Sequence, residues 1–202
     1  MSLTVNATEG TGIQPIAEGT YLAICNMLVD LGLQFNETYK NSSRKVLIGW
    51  EIPDETYEYD GETHRKTLSK RYTASLSERA TLRQDLAAWR GRDFTQEELA
   101  AFDLRNIVGV SCLINVIHKE SNGKTYANIS SIMALPKGMK KATLNEPPII
   151  FDLDTDDLSV IDNLPAWIGD IIKKSETYLA RVVEPVVVEE LPEDDSEEQL
   201  PF

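Results

Sequence analysis

The chain has 202 residues, of which 42% are hydrophobic, and a formal net charge of −13. That apolar fraction supports a buried core and excludes a wholly disordered chain, and no apolar run reaches the roughly 20 residues of a spanning helix. The charge is segregated: residues 65–141 hold fourteen Lys/Arg against seven Asp/Glu, whereas residues 184–202 hold eight acids and no base, so a basic middle precedes an acidic end.

The two cysteines, Cys25 and Cys112, lie in apolar surroundings and read as reduced core thiols. The start, MSLTVNATEGTG, lacks a basic n-region and an apolar h-region, so a cytoplasmic location is expected.

Residues 1–18 are polar and weakly patterned and are expected to form a flexible arm. Gly19–Phe35 is β-rich and long, with a bend or bulge expected at Asp30–Gly32. Asn36–Ser43 reads as a loop. In Arg44–Ile52 the alternation places Val46, Ile48, Trp50 and Ile52 on one face. Pro53–Glu62 reads as a loop carrying Tyr57 and Tyr59. Arg65–Leu76 reads as a third strand, with Lys66, Leu68, Lys70 and Tyr72 sharing a face.

The period then changes. Leu82, Leu86 and Trp89 form a helical stripe, Arg79, Arg83 and Arg90 lie on another side, and Gly91 stops the helix. Thr95-Gln-Glu-Glu98 is a capping box opening a short helix with Leu99 and Phe102 inward. Two strands follow, Ser111–Lys119 and Lys124–Leu135, joined by a tight hairpin at Glu120–Gly123. A basic irregular stretch then leads to a strand-like piece and a helix of roughly fifteen residues starting near Pro165.

The order β-β-β-α-β-β fits a mainly β fold, the five-stranded OB barrel with a helical insertion between strands three and four. The expected division is an arm (1–18), an OB-fold single-stranded DNA-binding domain (19–135), a basic/acidic extension whose helix packs on the barrel (136–183), and a disordered acidic partner-binding tail (184–202).

Motifs that suggest catalysis lack their partners. Asp152-x-Asp154 after an apolar run is shared with phosphatases of the haloacid-dehalogenase type, but Asp156 stands where Thr or Val belongs and too little chain follows for that core. As a Ca²⁺ loop the stretch has Asp157 in place of Gly and Asn163 in place of the terminal Glu. Asn122-Gly123-Lys124-Thr125 lacks the upstream Gly of a phosphate loop and sits in a hairpin. His64 and His118 have no Cys/Asp company. No catalytic residue, metal or cofactor is expected, and the chain reads as a non-enzyme.

Single-stranded nucleic acid is held by cations on phosphates and rings stacked on bases. Strand two offers Arg44, Lys45 and Trp50, and the next loop offers Tyr57 and Tyr59. Strand three offers Arg65, Lys66, Lys70, Arg71 and Tyr72. The last hairpin offers Lys124 and Tyr126, and the extension offers Lys137, Lys140 and Lys141. Tyr72, beside Lys66 and Lys70, is expected to be exposed for stacking. For Trp50 and Tyr126, stacking and core packing both remain open.

WEIP (Trp50–Pro53), Ser69–Leu104, Asn115–Ile129 and LPKGMKK (Leu135–Lys141) resemble single-stranded DNA-binding proteins of tailed bacteriophages and prophages, across residues 19–141. The resemblance implies an OB fold and sequence-tolerant DNA binding in phage replication or recombination, inside a bacterial host. The end of the chain resembles the acidic tip of bacterial and phage proteins of this kind. Asp194, Asp195, Glu197 and Glu198 supply the acids and Leu200, Pro201 and Phe202 the apolar end, with Gln199 and Leu200 intervening before Pro201. That likeness implies recruitment of replication or recombination proteins, the Phe202 ring entering a pocket while its carboxylate meets a base. Subunit number stays open, self-association included. The rival expectation is an OB adaptor for protein, or a structural phage component, without a nucleic-acid role.

Overall fold

A computed structural model describes residues 14–183. Its elements are β1 (Gly19–Asn36), β2 (Asn41–Tyr59), β3 (Glu62–Thr73), α1 (Thr81–Arg90), α2 (Gln96–Ala100), β4 (Ser111–Ser121), β5 (Lys124–Met133), β6 (Ile149–Phe151), α3 (Ala166–Lys173) and α4 (Glu176–Val183). Five strands form an antiparallel sheet in the order β3-β2-β1-β4-β5. The sheet curls until its ends, β3 and β5, approach each other without pairing, and α1 packs against both. The result is a mainly β half-barrel with a few helices.

Two apolar cores lie on opposite faces of β1 and β2. The inner one gathers Ala23, Cys25, Val46, Ile48, Trp50, Ile52 and Tyr72 beneath Leu82, Leu86 and Trp89 of α1. The outer one packs Met27, Val29, Leu31 and Leu47 against Phe151, Leu153, Ile161, Ile168 and Ile172 of the C-terminal extension. A register shift between Cys25 and Met27 makes this switch: one extra residue inverts the alternation, so Cys25 faces in and Met27 faces out. A second shift falls between Asp30 and Gly32, where a bend was expected. Gly32 has φ +72°, and a Cβ there would sit 2.7 Å from both Leu153 Cδ2 and Ser175 Oγ, so backbone and extension meet closely only because the side chain is missing.

The extension also supplies β6, which pairs in parallel with Met27–Val29, beyond the point where β4 stops pairing at Ile24. Burial on both faces explains why β1 reads as a nearly continuous apolar run.

Local signals hold where they were strongest. Gly91 closes α1 with φ 69°, its N–H donating to the Ala88 carbonyl. Trp89 lies in the core and its Nε1–H donates to the Ser111 carbonyl at 3.1 Å. The Thr95/Glu98 capping box is present in both directions, and the β4–β5 turn sits at Asn122-Gly123.

Three expectations are corrected. Pro53–Glu62 is not a loop: β2 continues to Tyr59 after a register shift between Ile52 and Thr56 that accommodates Pro53, and Asp60-Gly61 makes the turn with φ 52° and 79°. The C-terminal helix is two helices, because buried Ser175 ends α3 and caps α4 by accepting the Tyr178 N–H at 3.1 Å. The last residues of the expected arm are anchored: Ile16 is buried in the inner core, and its carbonyl lies 2.8 Å from His118 Nε2.

Candidate nucleic-acid interface

The distal half of the β2–β3 hairpin projects past the inner core. Its two-residue turn sets Tyr57 opposite His64. Their rings lie 5.5 Å apart at 31°, and Tyr59 meets the same His64 ring at 6.3 Å. Tyr59 is 68% exposed and Tyr126, across the gap on β5, is 48% exposed.

Between β3 and β5 runs a groove of about 420 Å³ lined by Tyr57, Lys66, Leu68 and Tyr126, with Gln14–Ile16 along it. A neighbouring pocket of about 220 Å³ takes in Asn26, Glu51, Tyr57, His64 and Arg65. A third, of about 240 Å³, lies between Leu22, Arg65, Lys140 and Lys141. The three are separate cavities: Tyr57 borders the first two and Arg65 the last two, and Arg65 and Glu51 alternate to the opposite sheet face from Lys66 and Leu68.

The other expected contacts fall elsewhere. Trp50 is fully buried, its ring 5.8 Å from that of Trp89, so it packs in the core and cannot stack on a base. Tyr72, expected to be exposed, is only 3% exposed, and its hydroxyl donates to Asp85 Oδ2 at 2.8 Å. Burial, and then the Asp85 charge, push that hydroxyl's pKa up. The alternation put Lys66, Lys70 and Tyr72 on one face correctly, but that face is the inner one: Tyr72 pairs with Val46 and Lys70 with Ile48. The lysines reach the rim, where Lys70 meets Asp85 at 2.7 Å and Lys66 meets Glu55 at 3.4 Å.

Arg44 is also engaged, lying between Asp30 and Asp154. The hydrogen bond to Asp30, more than any other contact, raises its pKa. Arg65 pairs with Glu51 and donates to the Thr143 carbonyl at 2.8 Å. Lys45 Nζ donates to Thr73 Oγ1 at 2.7 Å. Arg71, Lys124, Lys137, Lys140 and Lys141 are exposed and form no ion pair among the described residues. Of the three arginines expected on the helix, Arg83 pairs with Asp93 and Arg90 with Glu98, whereas Arg79 lies before α1, exposed and without an ion pair among the described residues.

The acids of the phosphatase-like motif gather with Asp30, one oxygen from each of Asp30, Asp152 and Asp154 lying within 4.8 Å of the others. Guanidinium groups already serve this cluster: Arg44 reaches Asp154 at 2.6 Å and Arg105 reaches Asp152 at 2.7 Å. Asp152 and Asp156 also tie their own loop, accepting the Asp154 and Asp152 N–H groups respectively.

Asp194, Asp195, Glu197, Glu198, Leu200, Pro201 and Phe202 lie outside the described residues. Sequence reasoning missed His64, Glu51 and Asn26 as lining residues of the second pocket. The signal for His64 was present: an Asp60-Gly61 turn, once accepted as a two-residue hairpin, fixes Tyr57 opposite His64. Set against models of known protein families and against curated proteins, the chain matches none of them.

Proposed function

We propose that this chain is a sequence-tolerant single-stranded DNA-binding protein on an OB-type barrel, acting in phage or prophage DNA replication or recombination in the bacterial cytoplasm. The observation that carries the reading is the groove at the open edge between β3 and β5. Half-buried Tyr57 and exposed Tyr126 line that groove, Tyr59 is exposed on the same hairpin as Tyr57, and Lys140 and Lys141, without ion pairs among the described residues, line a separate pocket. Rings supply flat stacking surfaces and lysines neutralise phosphates. The strand order, with α1 placed between β3 and β4, supports the OB assignment. No helix among the described residues is long and apolar enough to cross a membrane.

The test is anisotropy of a labelled oligo-dT titrated at two salt concentrations. Affinity is expected to fall with a log–log slope of about −0.7 per phosphate contact. Absent or salt-insensitive binding overturns the proposal. The acidic end, residues 189–202, recruits replication or recombination proteins in this reading. Its deletion leaves oligo-dT affinity equal or higher and abolishes capture of those proteins; weakened DNA binding would contradict it.

One observation favours the second reading, an OB adaptor for protein: Arg44, Arg65, Lys66 and Lys70 are already neutralised by acids. If oligo-dT does not bind, this reading takes precedence.

A further inference from the structure

The groove between β3 and β5 has one wall that does not belong to the sheet. Gln14, Pro15 and Ile16 line it together with Tyr57, Lys66, Leu68 and Tyr126. These three residues are held very differently. Ile16 is buried in the inner core, and its carbonyl lies 2.8 Å from His118 Nε2. Just after it, Glu18 accepts the His118 N–H at 2.7 Å, and the Tyr21 hydroxyl donates to the Ala17 carbonyl at 3.0 Å. Gln14 and Pro15 are exposed, belong to no strand and form no hydrogen bond to another described residue. The anchor therefore begins at Ile16, and the two residues before it are kept in the groove by packing alone.

Local chemistry explains the direction they take. Pro15 fixes its own φ and disfavours a helical Gln14. The chain thus leaves its anchor extended, along the groove rather than coiled away from it.

We infer that Gln14 and Pro15 are a displaceable strap that competes with single-stranded DNA for this groove, an inference that rests on the DNA-binding reading above. Nucleotides stacked on Tyr57 and Tyr126 need the space beside those rings, which the strap now shares. Lifting it breaks no hydrogen bond to a described residue, and Ile16 stays in the core as the hinge. A clamp that closed over DNA would bring cations to the phosphates, but residues 1–15 contain Glu9 and no lysine or arginine. The apparent affinity is then the intrinsic one reduced by the fraction of molecules in which the strap is lifted.

The experiment uses the full chain with Gln14→Cys carrying a nitroxide label. Cys25 and Cys112 are 0% exposed, so the label goes to position 14. Saturation with oligo-dT, confirmed by anisotropy, is expected to sharpen the label's spectrum as the strap leaves the groove. An unchanged or broadened spectrum overturns the inference and leaves the DNA-binding proposal intact.

A second variant, Gln14→Gly with Pro15→Gly, makes the extended strap costlier to order. It is expected to bind oligo-dT about threefold tighter at the same unfolding midpoint. Equal or weaker binding by this variant also overturns the inference. Failure of the natural protein to bind oligo-dT at all removes the DNA-binding proposal and the strap with it.

Discussion

The two ends of β2 carry similar residues and use them in opposite ways. At the Arg44–Trp50 end the cation is held between Asp30 and Asp154 and the ring is sealed in the core. At the Thr56–Tyr59 end the strand has left the core, Tyr59 stands in solvent, and Tyr57 lines a groove toward exposed Tyr126. Residue type alone does not make an interface. Which face curls inward, and which acids the neighbouring elements bring, decides whether a ring or cation is available.

Substitutions at the two ends should therefore separate stability from binding. The largest effect is expected from Trp50→Ala, which empties a fully buried site and should cost about 3–5 kcal/mol in denaturant unfolding. Asp30→Ala comes next. It removes the acceptor of the Gly32 N–H and one partner of Arg44, and it should cost about 2 kcal/mol. That figure lies below the full buried-pair penalty because Arg44 is 36% exposed and keeps Asp154. Tyr57→Ala and Tyr126→Ala should each weaken oligo-dT binding by about 1–3 kcal/mol with little change in unfolding midpoint. If either destabilises the fold as strongly as Trp50→Ala, the contrast between the ends collapses.

The smallest effect concerns pH. Hydrogen bonding, chiefly to Arg92, holds the Glu98 carboxyl down to about 2, against an ordinary value of 4.5. A lowered carboxylate stabilises the fold above its unfolded value and loses that contribution as pH falls through the folded one. The α2 cap should therefore persist at pH 5 and loosen between about 4.5 and about 2. The Glu98 side-chain carbon shift in NMR titration checks this; a midpoint near 4.5 would show that the Arg92 contact does not persist in solution.

Much of this arrangement was legible in the residues. The Leu82/Leu86/Trp89 stripe, the Gly91 stop, the Thr95–Glu98 box and the Asn122-Gly123 turn are local signals, and local physics fixes them. Tyr72 was misplaced because a period of two tells which residues share a face but not which face the sheet curls around. Lys66 and Lys70 on that face suggested solvent, whereas their long stems let the charges reach Glu55 and Asp85 at the rim. Pro53 was read as the end of a strand, and a bulge let the strand continue. Glu51 lies opposite Thr67, and Arg65 reaches it from two residues away on the same face beside the bulge at Pro53, a bulge that was hidden once Pro53–Glu62 was taken for a loop.

The short parallel strand β6 bears on how the protein can be dissected. It occupies the hydrogen-bonding edge of Met27–Val29, and the segments after it cover Leu31 and Leu47. A fragment cut at Leu135, where the five-stranded sheet is complete in sequence, would leave that edge open and the apolar patch bare. Such an edge invites the same edge of another molecule, so the shortened piece should clump during purification, whereas a fragment ending after Val183 should remain dispersed.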